Sequence, residues 1–125
     1  MAHTLGSYVL DNGLNYLDTG ATSLYICSQD PTTYTEATST YALGHKTFTA
    51  GAAFGSPADA TPNGRQVTST AISDGSITAN GTAAAWAVVD ASSRLLANGG
   101  LAATQTVTSG NTFVLPAFTI RIPNQ

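Results

Sequence analysis

Ala83-Ala84-Ala85-Trp86-Ala87-Val88-Val89, Arg94-Leu95-Leu96-Ala97, Thr104-Gln105-Thr106-Val107-Thr108 and Thr112-Phe113-Val114-Leu115 follow one another in the second half of the chain. Between them stand residues 90–93, Asn98-Gly99-Gly100 and Ser109-Gly110-Asn111. The blocks have the length and side chains of short strands, and the intervals carry turn residues. Turn signals recurring every ~8–12 residues predict a sandwich or barrel. Upstream, residues 65–72 and 76–79 extend the series. Asp74-Gly75 and Asn80-Gly81 follow them, dipeptides typical of two-residue hairpins. Downstream, Phe118, Ile120 and Ile122 alternate with Thr119 and Arg121, as in a half-buried strand. No strand alternates with a long helix, which disfavours a parallel α/β sheet. The expected fold is all-β: an antiparallel, jelly-roll-like β-sandwich in a single domain.

The first half is less regular. Residues 5–19 place Leu5, Val9, Leu10, Leu14 and Leu17 at helical offsets, but Asn12-Gly13 interrupts them. A short helix and a broken or irregular arm are both open. Residues 1–20 are therefore expected to be an arm or short helix packed on a β-sandwich of residues 21–125. Residues 24–28 read as a strand, and Asp30-Pro31 as the start of a short helix. Residues 46–50 read as another strand. Residues 51–64, rich in Gly and Pro, read as a long surface loop.

Composition narrows the function. The chain has 125 residues, of which 9% are charged against ~25% in ordinary domains, and its net charge is −3. With four basic residues it lacks the stripe that nucleic acid requires, and it is poorly suited to an anionic membrane. No stretch approaches the ~20 apolar residues of a membrane span, and the first residues do not read as a secretory signal. Twenty threonines fit wet strand faces, yet they guard sheet edges poorly. Edges are then either covered within the domain or meet another chain; the second is expected for at least one surface. The single cysteine, Cys27, reads as a small buried hydrophobe or as one half of an intermolecular disulfide.

No reaction is written in the motifs. His3 and His45 lie far apart and neither has a second metal ligand at close spacing. Gly-x-Ser-x-Gly and the phosphate-binding glycine loop are absent; Lys46 lacks the upstream glycines. A Cys27–His45 pair would need a third group and a cleft. Asp11, Asp18, Asp30, Glu36, Asp59, Asp74 and Asp90 are scattered, and several occupy turns or caps. Trp86 among alanines reads as core. Tyr25, Tyr34 and Tyr41, near loops, are the better candidates for a binding surface. Catalytic, cofactor and metal sites are all expected to be none.

One pattern goes further. Tyr8-Val9-Leu10-Asp11-Asn12-Gly13-Leu14, the stretch Leu24-Tyr25-Ile26-Cys27-Ser28-Gln29-Asp30-Pro31-Thr32-Thr33-Tyr34 and Leu43-Gly44-His45-Lys46 carry it in the first half. Asp74-Gly75-Ser76-Ile77-Thr78, Asn80-Gly81-Thr82-Ala83, Trp86-Ala87-Val88-Val89-Asp90, Arg94-Leu95-Leu96-Ala97 and Val107-Thr108-Ser109-Gly110-Asn111-Thr112-Phe113 carry it in the second. Together they resemble small β-rich virion structural proteins of tailed bacteriophages and prophages. The resemblance spans nearly the whole chain and rests on strand and turn motifs. It implies a capsid decoration protein, made in the host bacterial cytoplasm and bound to the capsid surface in many copies. The implied partners are the major capsid protein and copies of the chain itself, a trimer among the expected states. The ends, residues 1–7 and 116–125, would be arms that grip a neighbour by strand addition. The alternative is a tail- or fibre-associated module binding a receptor or glycan through residues 51–64 and the nearby tyrosines.

Overall fold

A computed structural model describes residues 7–49, 51–61 and 64–122. They form an antiparallel all-β sandwich with a short N-terminal helix. Helix α1 (Ser7–Gly20) runs through Asn12-Gly13 without a break. Leu14 and Leu17, three positions apart on one helical face, are buried in the core. Arg65 holds the helix from outside: its guanidinium donates to both Asp11 carboxylate oxygens, at 2.7 and 3.1 Å. This packing outweighs the weak helix propensity of Asn12 and Gly13.

Nine strands follow among the described residues: β1 (Ala21–Cys27), β2 (Ala42–Thr47), β3 (Ala58–Asp59), β4 (Arg65–Thr68), β5 (Ile72–Ile77), β6 (Gly81–Asp90), β7 (Leu95–Val107), β8 (Thr112–Leu115) and β9 (Thr119–Ile122). Six make one sheet in the order β7-β6-β1-β2-β5-β8, and three make another in the order β3-β4-β9. Leu24 and Ile26 of β1 point to one face of the large sheet, where they pack with Val88, Ile77, Phe113 and the helix leucines. Val67, Ile120 and Ile122 from the small sheet close this core, with Phe118 against Trp86 at 4.4 Å between ring centroids. Trp86 is thus a core residue, as its setting among alanines predicts. The opposite face carries Cys27, Ala85, Ala87 and Val89 beneath Tyr25, Tyr34, Tyr41 and Ala37.

Several local expectations need correction. Asp74-Gly75 lies inside β5 and is no hairpin. The Phe113 ring lies against Gly75, where a Cβ would sit 2.2 Å from it; the glycine is there for close approach. Likewise Asn98-Gly99-Gly100 is no turn, because β7 runs straight through it, and the Trp86 indole rests on Gly99. Asn80-Gly81 joins β5 to β6, which are not neighbours, so it makes no hairpin either. Residues 65–72 split: β4 belongs to the small sheet and β5 to the large one. Residues 51–64 are not all surface, since Ala53 and Phe54 are buried and residues 58–59 form β3. The strand expected at 46–50 is instead β2, which begins at Ala42 and ends at Thr47.

The helical turn after Asp30-Pro31 starts later than its signal. Thr33 accepts the Glu36 N–H through its hydroxyl at 3.1 Å, and the Glu36 carboxylate takes the Thr32 N–H and hydroxyl at 2.8 Å each. This reciprocal arrangement resembles a capping box. It leads into a π-helical turn, Glu36–Thr40, closed by the Tyr41 N–H on the Glu36 carbonyl. Within the expected C-terminal arm, β9 is already paired to β4 in the small sheet. Residues 123–125 of that arm lie outside the described residues, as do residues 1–6 of the N-terminal one.

Candidate binding groove

The titratable side chains singled out from the sequence are built into the framework. Asp90 is buried at the end of β6. One of its oxygens accepts the Ser92 and Arg94 amides at 3.0 Å. The other accepts the Tyr16 hydroxyl at 2.7 Å and the Arg94 Nε at 2.8 Å. Burial pushes the Asp90 carboxyl up, but the Tyr16, Arg94 and Ser92 donors together outweigh it and hold the group below the ordinary aspartate value. Asp11 and Asp59 share Arg65, and Asp74 pairs with Lys46 at 2.9 Å on the surface. Among the described residues no three histidine, cysteine or acidic groups gather as metal ligands. His3 lies outside the described residues. His45 stacks on Tyr25, with ring centroids 5.2 Å apart.

Cys27 is fully buried, and its thiol donates to the Ala37 carbonyl at 3.5 Å. Burial, with a smaller contribution from Asp30, raises its pKa to about 11. Of the two readings left open for it, the structure places it in the first, as a small core residue. The tyrosines divide from the loop proposed to act with them. Tyr25, Tyr34 and Tyr41 are half-buried on the alanine-rich face, whereas Phe54 of residues 51–64 belongs to the opposite core. The sheet lies between them.

The open feature is elsewhere. β7 and β8 are the two edges of the large sheet, yet they are consecutive in the chain. The turn between them is pinned. The Ser109 N–H donates to Asn80 Oδ1 at 2.8 Å, and the Gly110 N–H to the Ile77 carbonyl at 2.9 Å. From this anchored end the two edges flank a groove. A cavity of about 280 Å³ is lined by Ile26, Ala83, Leu101, Val107, Phe113 and Leu115, among others. It adjoins a wider trough of about 500 Å³ that also lies between the two strands.

The ladder geometry shapes this wall. Against β6, the register of β7 jumps between the pairs Ala83↔Gln105 and Ala85↔Gly100, so β7 bulges over residues 101–104. Bulges re-aim side chains, and here Leu101 and Ala103 line the cavity. Val114 on the facing strand is 71% exposed. Among the described residues, no charged side chain lines either part of the groove. The groove is not among the candidates the sequence offered, because a turn expected at residues 98–100 would have cut β7 short. A signal for it does exist: residues 95–120 hold no charged residue or histidine.

No family model, curated protein or solved structure matches this chain. The fold therefore stands on its strand order and packing.

Proposed function

We propose that this protein is a virion structural protein of a tailed bacteriophage, a capsid decoration protein that coats the head surface in many copies and converts no substrate. The observation that carries this reading is the pair of sheet edges, uncharged and unpaired among the described residues, beside an apolar groove. Sheet edges of this kind are templates for joining another chain. The sequence resemblance to phage structural proteins supports the same role, as does a surface with few charges to oppose close lattice contacts. Each contact can be modest, because repetition over a shell multiplies it.

Quantitative mass spectrometry of purified particles tests the assignment. The expected result is a copy number of the same order as the major capsid protein. Absence from particles would overturn it. So would a count of only a few copies, which would favour the tail-associated, receptor- or glycan-binding alternative.

A further inference from the structure

We propose that helix α1 is a releasable strap: when the Tyr16 side chain lets go, the helix leaves the sandwich as a unit about the Gly20–Ala21 junction while both sheets stay folded. This device does not depend on the virion role.

The helix depends on its docking. Asn12, Gly13, Asn15, Asp18 and Thr19 are weak helix formers, and neither helix end carries a side-chain charge that opposes the macrodipole. Fourteen residues of this kind are marginal as a helix in water. Among its described side chains only Leu14 and Leu17 are buried. Polar fasteners act in each half: Asp11 on Arg65, and Tyr16 on Asp90 and Arg94.

The receptors on the body are complete without the helix. Asp90 accepts from the Ser92 and Arg94 amides and from Arg94 Nε, all within its own turn. To these α1 adds the Tyr16 hydroxyl. Arg65 likewise keeps the Asp59 carboxylate at 2.6 Å and the Pro57 carbonyl when Asp11 departs. β1 begins directly after the helix and is paired on both sides, to β2 and β6, through residues outside α1. Departure of α1 therefore leaves Asp90 paired and every strand pair intact. What it uncovers is the apolar seat of Leu14 and Leu17 in the core.

Gly20 marks Tyr16 as the deciding fastener. Its φ is not positive, so the backbone does not require glycine there. The Tyr16 ring does, because a Cβ on Gly20 would sit 2.7 Å from it. Bare Gly20 lets the ring lie against the end of the helix, where its hydroxyl reaches Asp90 at 2.7 Å and the Arg94 guanidinium stands 5.2 Å from its centre. Alanine at this position favours the helix by propensity but displaces the ring. The two effects have opposite signs, which makes the position diagnostic.

The test is native-state hydrogen exchange of the full chain, read residue by residue by NMR at increasing urea. In the parent, the slowest amides of α1 are expected to exchange at least tenfold faster than the slowest amides of β1 and β6. They should share one urea dependence, the mark of a unit that opens together rather than frays. Tyr16→Phe, which removes the hydroxyl alone, should speed α1 exchange at least fivefold further and leave the slowest β1 and β6 amides unchanged. Gly20→Ala should do the same, despite its better helix propensity.

One common rate for helix and sheet in the parent would overturn the proposal, since α1 would then open only with the whole domain; this comparison needs no variant to fold. Helix amides without a shared urea dependence would overturn it in favour of fraying. Variants that speed helix and sheet together would overturn it as well, as would unchanged α1 exchange in Tyr16→Phe. Unchanged or slower α1 exchange in Gly20→Ala would overturn it too, because the Tyr16 seat would then not govern the helix.

Discussion

The two faces of the six-stranded sheet are built by opposite means. One buries large side chains, Leu24, Ile26, Ile77, Val88 and Phe113, under a helix and a second sheet. The other buries Cys27, Ala37, Ala85 and Ala87, and lets a π-helical turn and three tyrosines lie close upon it. Apolar burial scales with area, so the first face supplies most of the stability. The second supplies close fit: small residues let the turn approach, at the cost of sensitivity to any added volume.

The largest effect should come from the first face. Leu24→Ala is expected to lower unfolding stability by about 2–5 kcal/mol in urea titration, because the helix and two sheets around it relax only in part. A loss below about 1 kcal/mol would mean that this core is loosely packed. Next is the carboxylate at the end of β6. Asp90→Ala strands the Tyr16 hydroxyl, the Arg94 side chain and two backbone amides, and should cost on the order of 2–3 kcal/mol.

Acid sharpens this second prediction. The folded pKa of Asp90 lies below its ordinary value of 3.8, so the group stabilises fully above that value and its contribution is lost as pH falls through the folded pKa. Glu36, held low first by the Thr32 amide, and Asp74, held low first by Lys46, have the same sign. Stability should thus decline below about pH 4, and Asp90→Asn should flatten that decline in pH-dependent thermal melts. An unchanged slope would show that the carboxylate is not favoured in the folded state.

The second face predicts a reversed mutational sense. Ala87→Leu adds volume where none is free and is expected to destabilise by about 1–3 kcal/mol, measured by chemical denaturation. Stabilisation would show that the tyrosine-covered face is underfilled. Cys27 beneath the same cover should resist iodoacetamide at pH 8 while folded and react once unfolded, since its pKa of about 11 and its burial both suppress the thiolate. The smallest effect is expected on the surface: Lys46→Ala breaks an exposed, solvent-screened ion pair and should leave the urea unfolding midpoint nearly unchanged.

The same contrast explains what could be read from the sequence. Alternation in Phe118, Ile120 and Ile122 and the turn at Ser109-Gly110-Asn111 declared themselves, because strand period and turn chemistry are local properties. Gly75 and Gly99 misled for a nonlocal reason: each makes room for an aromatic ring from another strand, Phe113 and Trp86. A glycine in a turn and a glycine beneath a ring look alike in one dimension. The β7–β8 groove was hidden for a related reason. Two strands consecutive in sequence suggest a hairpin, and only the strand order shows them at opposite edges of a sheet. The division of the strands into sheets of six and three was likewise not legible, because pairing such as that of β1 with β6 is long-range.

A cryo-electron-microscopy map of intact particles tests the central claim most directly. The account predicts copies of this sandwich at evenly spaced positions on the head. A head surface without this density would contradict it.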